Sequence, residues 1–271
     1  MPYHAINRTL ALGDQTMDSI AFGRGPRAMV ILPGLGDGLR TVKGSAFPFS
    51  VMYRAYAKRY RVYVFSRANE LCPGSTTEEM ARDVALAMDK LKLTSAAVMG
   101  VSQGGMIAQC LALERPDLVD KLALVVTLAR PNPVMNGVVS AWIAMARKGA
   151  YRQLMLDTFE KSYSETYLRS RRWLFPLLTL TGKPKDMSRF IIEAESCLRH
   201  DTFARLPAIA CPTLVIGGAE DKIVGAQASK EIAAQIKDSE LYLYPGLGHA
   251  LYEEAKDFHE RVLAFFARAG A

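Results

Sequence analysis

Apolar residues gather in short unbroken runs along the first 130 residues: AMVIL at 28–32, RVYVF at 61–65, SAAVM at 95–99 and LALVVTL at 122–128. A strand with only one buried face alternates apolar and polar positions. Runs without that alternation, rich in β-branched residues, predict strands covered on both faces, as in a parallel sheet. Helical patterns separate them. Thr76 followed by Glu79 has the form of a capping box, and Met80, Val84, Met88 and Leu91 then recur at helical spacing. A second helix is predicted over 104–114, stopped by Pro116. Strand and helix in alternation imply right-handed crossovers within one open sheet. Residues 5–22, punctuated by Gly13-Asp14 and Gly23, predict an antiparallel hairpin at the sheet edge.

The rhythm changes after Leu128. Residues 131–206 contain no convincing strand, but Trp142, Met145, Tyr151, Met155, Phe159, Tyr163, Tyr167, Trp173 and Phe175 fall at helical intervals. The sheet pattern returns with PTLVI at 212–216, a helix over 226–236, ELYLY at 240–244 and a final helix over 252–268. Residues 1–130 and 207–271 therefore form one α/β core, and 131–206 is a helical insertion within it.

Composition narrows the class. The 271 residues are 50% hydrophobic and 23% charged, the balance of a folded globular chain and not of a disordered one. No window approaches the ~18 consecutive apolar residues of a membrane span. The first twenty residues carry Arg8, Asp14 and Asp18 without an apolar signal segment, so a cytoplasmic location is expected. Cys72, Cys110, Cys197 and Cys211 are scattered, which points to buried or half-buried thiols and not to disulfides or zinc. The net charge is +7, with twelve basic and seven acidic residues in 131–206. No nucleic-acid motif accompanies that surplus, and a solvated helical surface explains it equally well.

The sharpest chemical signal is Gly100-Val101-Ser102-Gln103-Gly104. A Gly-x-Ser-x-Gly string alone is weak, with roughly a one-in-ten chance of occurring in a chain this long. A serine after a glycine turn often does no more than cap a helix. Here the string follows an apolar run and opens a helix, the context of a nucleophile elbow. A serine hydroxyl needs a base, and the base needs a carboxylate to orient it. Of His4, His200, His249 and His259, only His249 lies in a glycine-rich loop directly after the last strand. Where the strand at 212–216 ends, Gly217, Gly218, Glu220 and Asp221 form a turn offering two acids. The shorter Asp221 suits a fixed loop position better than Glu220.

The elbow at 100–104, the Gly218-Ala219-Glu220-Asp221 turn, Gly248-His249 and Pro33-Gly34-Leu35-Gly36 together resemble the α/β-hydrolase superfamily over almost the whole chain. The resemblance implies an eight-stranded, mostly parallel sheet with 131–206 as a cap. It also implies the backbone N–H groups of Leu35 and Gln103 as an oxyanion hole. Two loops depart from the family pattern. Pro33-Gly34 stands where a loop-bracing His-Gly is common, and SRANELCPG at 66–74 replaces an Asp-x-Arg-Gly-x-Gly loop.

The expected activity is a serine hydrolase acting on a carboxylic ester or related acyl compound, with Ser102, Asp221 and His249 as a triad. Neither a metal nor an organic cofactor is called for. The partner expected is a small, apolar acyl substrate, with neither nucleic acid nor a membrane span. The aromatic and sulfur residues of the insertion, Trp142 and Met145 first among them, are candidates for the pocket wall. The same triad could serve an acyltransferase or a hydrolase of carbon–carbon bonds, or survive in a non-catalytic ligand-binding protein.

Overall fold

The computed structural model describes residues 2–180 and 182–268. Eight strands form one sheet: β1 (Ile6–Leu12), β2 (Gln15–Phe22), β3 (Arg27–Leu32), β4 (Tyr60–Ala68), β5 (Ala96–Val101), β6 (Val119–Val125), β7 (Thr213–Gly218) and β8 (Ser239–Tyr244). Their order is β1-β2-β4-β3-β5-β6-β7-β8. β2 is antiparallel to both its neighbours, and every pairing from β4 to β8 is parallel. The predicted hairpin is thus β1–β2, with β1 at the edge.

The helices in chain order are α1 (Ala46–Met52), α2 (Thr77–Lys90), α3 (Gln103–Glu114), α4 (Pro133–Arg147), α5 (Tyr151–Ser162), α6 (Glu165–Arg171), α7 (Phe175–Leu178), α8 (Ser188–Arg199), α9 (Ala226–Gln235), α10 (Leu251–Glu254) and α11 (Phe258–Ala267). The capping box forms as read: Thr76 accepts from the Glu79 N–H, and the Glu79 side chain accepts from the Thr76 N–H. The unbroken apolar runs are explained by two cores, one on each side of the sheet. Val30, Leu32 and Val98 pack with α2 and α3 on one face, while Met29, Ile31, Ala97 and Met99 pack with α11 on the other. A third cluster joins α4, α5 and α8 of the 131–206 segment to Met106, Ile223 and Val224.

Three local expectations need correction. The run at 122–128 stops being strand at Val125, because Val126 takes φ 45° and turns the chain toward the elbow. The single helix expected over 252–268 is two, separated where Ala255 adopts an extended ψ of 117°. α10 is held by the 131–206 segment, since Ala250 N–H donates to Ser162 O and Tyr163 Oη–H donates to Glu253. α11 must re-aim to bury Phe258 and Phe266 under the sheet. Among the cysteines, Cys110 and Cys197 are buried and Cys211 is half-buried, but Cys72 is exposed.

Candidate active site

Ser102 sits between β5 and α3 with φ 54° and ψ −120°, a backbone strain costing about 1–3 kcal/mol at a non-glycine residue. The neighbouring glycines make that turn sterically possible. A Cβ on Gly100 would lie 2.4 Å from Gly104 O, and one on Gly104 would lie 2.0 Å from Leu32 O. The turn is tied to β6 and the chain beyond it: Ser102 N–H donates to Val125 O at 2.9 Å, and Thr127 Oγ1–H donates to Ser102 O at 2.7 Å. Although Ser102 occupies the N-cap position of α3, its hydroxyl makes no capping bond. It points to His249 instead.

His249 Nε2 lies 3.0 Å from Ser102 Oγ, and His249 Nδ1 lies 2.8 Å from Asp221 Oδ2. The two loops that carry His249 and Asp221 are pressed together, since a Cβ on Gly218 would stand 2.4 Å from Gly248 O. The other carboxylate oxygen, Asp221 Oδ1, accepts from the N–H groups of Ile223 and Val224 at 2.8 and 3.0 Å. Burial by itself would raise the Asp221 carboxyl, but the His249 ring and those two N–H groups outweigh it and hold it below its ordinary value. An ionised Asp221 can only accept, so Nδ1 carries the ring proton. In the neutral ring Nε2 is then the acceptor, and the Ser102 hydroxyl donates to it.

The alternatives fall elsewhere. Glu220 is exposed, and its N–H is taken by Leu247 O. His200 is a buried core residue bonded to Thr77 Oγ1 at 2.8 Å, and burial lowers it to about 4. His259 meets Tyr56 Oη, and His4 is exposed beside Arg24.

Leu35 opens a 3-10 turn (Leu35–Gly38) and Gln103 opens α3. The first N–H groups of a helix have no partner within it. Neither residue's N–H donates to another group among the described residues. Their loop lies close to the serine: a Cβ on Gly34 would be 3.2 Å from Ser102 Cβ. Ser102, His249 and Leu35 share a cavity of about 410 Å³, to which α4 contributes Trp142. Met145, one turn further along α4, lines a separate cavity with Tyr151 and Leu156.

A buried polar cluster beneath the 35–38 turn escaped the sequence reading. The Arg67 Nη2 group donates to Pro33 O at 2.5 Å and to Gln103 Oε1 at 2.9 Å. Asp37 Oδ2 accepts from Arg67 N–H at 3.0 Å and pairs with Arg189 Nη2 at 2.8 Å. Gln103 Nε2 donates to Glu193 O, which joins α8 to the same cluster. Arg67 thus ties Pro33, at the start of the 33–36 loop, to Gln103. The Glu193 carboxyl is fully buried, and burial together with Asp37 pushes it up to about 8 against the pull of Arg67 and Arg189. The one available signal was a charged residue, Arg67, two positions beyond the apolar run at 61–65. Among the described residues no group of three or more His, Cys, Asp or Glu side chains is placed to hold a metal ion.

The chain has relatives along most of its length. It is 27% identical to "Putative carbamate hydrolase RutD" of Caulobacter sp. (strain K31), covering 90% of this chain and 92% of that one. It is 26% identical to the 2-hydroxy-6-oxononadienedioate/2-hydroxy-6-oxononatrienedioate hydrolase of Paraburkholderia xenovorans (strain LB400), covering 90% and 88%. In fold it resembles MGS-M2, an alpha/beta hydrolase enzyme from a Medee basin deep-sea metagenome library. That match has a TM-score of 0.84 and 20% identity over 97% of this chain and 98% of the other. Residues 27–256 match the family model described as alpha/beta hydrolase fold, and the chain belongs to that family.

Proposed function

We propose that this hydrolase cleaves a carboxylic ester or related acyl compound by way of an acyl-enzyme on Ser102. The observation that carries the proposal is the unbroken hydrogen-bond line from Asp221 through His249 to Ser102, ending in a cavity. As Ser102 Oγ attacks the substrate carbonyl, its proton passes to His249 Nε2. Asp221 keeps the ring oriented and stabilises the imidazolium. The carbonyl oxygen becomes an oxyanion, which the N–H groups of Leu35 and Gln103 receive. Collapse breaks the bond to the leaving group, which takes the proton from His249. Water then gives a proton to His249 and attacks the acyl carbon; the acyl–Oγ bond breaks, His249 returns the proton to Ser102 Oγ, and the carboxylic acid leaves.

Residues 131–206 serve as the cap in this scheme, with Trp142, Thr158 and Ser162 closing the cavity over Ser102. The walls favour an uncharged substrate. Phe49, Tyr53, Trp142 and Ile223 supply apolar surface, and Arg40 is the one Lys or Arg among the described lining residues, which also include Asp37 and Glu253. A dicarboxylate of the kind named for the P. xenovorans relative would find little to neutralise it there. The test is a panel of nitrophenyl esters, run beside a dicarboxylate with an oxo group. Best turnover on medium-length apolar acyl esters, abolished in Ser102→Ala, is expected. Best turnover on acetate or on the dicarboxylate contradicts the proposal.

A further inference from the structure

Seven of the twelve large apolar side chains exposed among the described residues fall in two short stretches. Phe47, Val51 and Met52 stand out from α1, with Phe47 56% exposed. Trp173, Leu177, Leu178 and Leu180 stand out on and around α7 at 69, 56, 55 and 73% exposure. Isolated exposed apolar residues are ordinary, but clusters of this kind mark an interaction surface.

The charges around them are equally uneven. Residues 40–59 hold Arg40, Lys43, Arg54, Lys58 and Arg59 and no Asp or Glu. Residues 169–185 hold Arg169, Arg171, Arg172, Lys183 and Lys185, again with no Asp or Glu. These two stretches account for more than the whole net charge of +7, so the rest of the chain is net acidic. Arg172 pairs with Glu160, Arg169 with Glu165, and Arg171 stacks on Tyr167. Lys183 and Lys185 have no ion pair among the described residues.

A chain of contacts connects the two stretches. Phe175 packs on Tyr163, with ring centroids 6.1 Å apart, and Tyr163 Oη–H donates to Glu253 at 2.7 Å. Glu253 in turn lines a groove with Phe47, Val51 and Met52. That groove shares Met52, Tyr252 and Glu253 with the cavity around Ser102.

We propose that these two basic, apolar stretches dock the protein on an anionic phospholipid surface, with the mouth of the Ser102 cavity beside the contact. Tryptophan and leucine side chains enter the headgroup boundary while lysine and arginine meet lipid phosphates. A nucleic acid would use the cations but has no use for three aliphatic leucines. A second copy of the chain in a two-fold dimer would set one basic stretch against another. Docking does not depend on the chemistry proposed for Ser102.

Flotation with vesicles and tryptophan emission test this directly. The chain has two tryptophans, and Trp142 is buried, so an emission change on docking reports Trp173. Vesicles with about 30 mol% phosphatidylglycerol in phosphatidylcholine are expected to bind about ten-fold or more protein than pure phosphatidylcholine. Trp173 emission should shift to the blue, and binding should fall as salt rises toward ~0.5 M. Lys183→Glu with Lys185→Glu, and separately Leu177→Ser with Leu180→Ser, should each weaken binding about ten-fold. Both variants should melt normally and turn over a soluble ester at the wild-type rate. Ser102→Ala should bind vesicles as the wild type does. No preference for anionic vesicles, or binding unchanged by the leucine substitutions, overturns the proposal. So does tighter binding to duplex DNA than to the vesicles.

Discussion

Arg67 and Gln103 are joined by a buried hydrogen bond of 2.9 Å, and the same Arg67 nitrogen also donates to Pro33 O. One guanidinium therefore fixes both segments whose N–H groups would form the oxyanion hole, that of Leu35 and that of Gln103. Arg67→Met is expected to lower kcat by about 10- to 10²-fold with a smaller change in KM, because oxyanion contacts act in the transition state. Arg67→Lys, which can reach one acceptor, should recover part of the loss. Steady-state kinetics on a soluble ester check this, with circular dichroism to show that both variants fold. Equal losses in the two variants, confined to KM, would contradict the bracing role.

Gly38 closes the same turn against α8. A Cβ there would stand 2.8 Å from Phe190 Cα and 3.3 Å from the Glu193 carboxylate. Because Phe190 offers backbone at that point, the turn itself must shift. Gly38→Ala is expected to cost about 1–3 kcal/mol of stability and to slow turnover by displacing Leu35. Thermal melts and kcat on one preparation measure both effects. A variant with unchanged kcat would separate the turn from catalysis.

Asp221→Asn keeps the shape of the side chain but removes the charge that selects the Nδ1–H tautomer. A fall in kcat of about 10⁴-fold is expected, with the fold retained. The carboxyl of Asp221 is held below its ordinary value, so its contribution to stability is present above about pH 4. That contribution is lost as the pH falls through the lower folded-state value. The difference in melting temperature between wild type and Asp221→Asn should shrink in acid.

Glu193 has the opposite sign. Its folded-state value near 8 lies above the ordinary 4.5, so the fold favours the protonated form. The stability it contributes is complete below pH 4.5 and is lost as the pH rises through about 8. Glu193→Gln should remove that decline. The variant is expected to melt higher than wild type at pH 9 relative to their difference at pH 5. Parallel melting curves across that range would contradict a buried, protonated Glu193.

The strands were legible because residues such as Val30 and Ile31 alternate between two apolar cores, leaving no polar face to interrupt the run. The elbow was legible because Gly100 and Gly104 have a local steric cause. Asp221 and His249 could be read because each follows a strand in a glycine-rich turn at the same end of a parallel sheet. What stayed hidden depends on contacts between distant segments. The break at Ala255 is imposed by Ser162 and Tyr163 on α10. Helical spacing gave Trp142 and Met145 equal standing, but direction around α4 sends them to different cavities. The Arg67–Asp37–Arg189 link brings together positions more than a hundred residues apart, and no spacing rule announces it.

The most direct measurement is intact-protein and peptide mass after treatment with a fluorophosphonate. A single phosphonyl adduct on the peptide containing Ser102 is expected, absent in Ser102→Ala and formed far more slowly in His249→Ala. A folded wild-type protein that takes up no reagent, or takes it up equally well once Ser102 is alanine, would contradict an activated serine at this site.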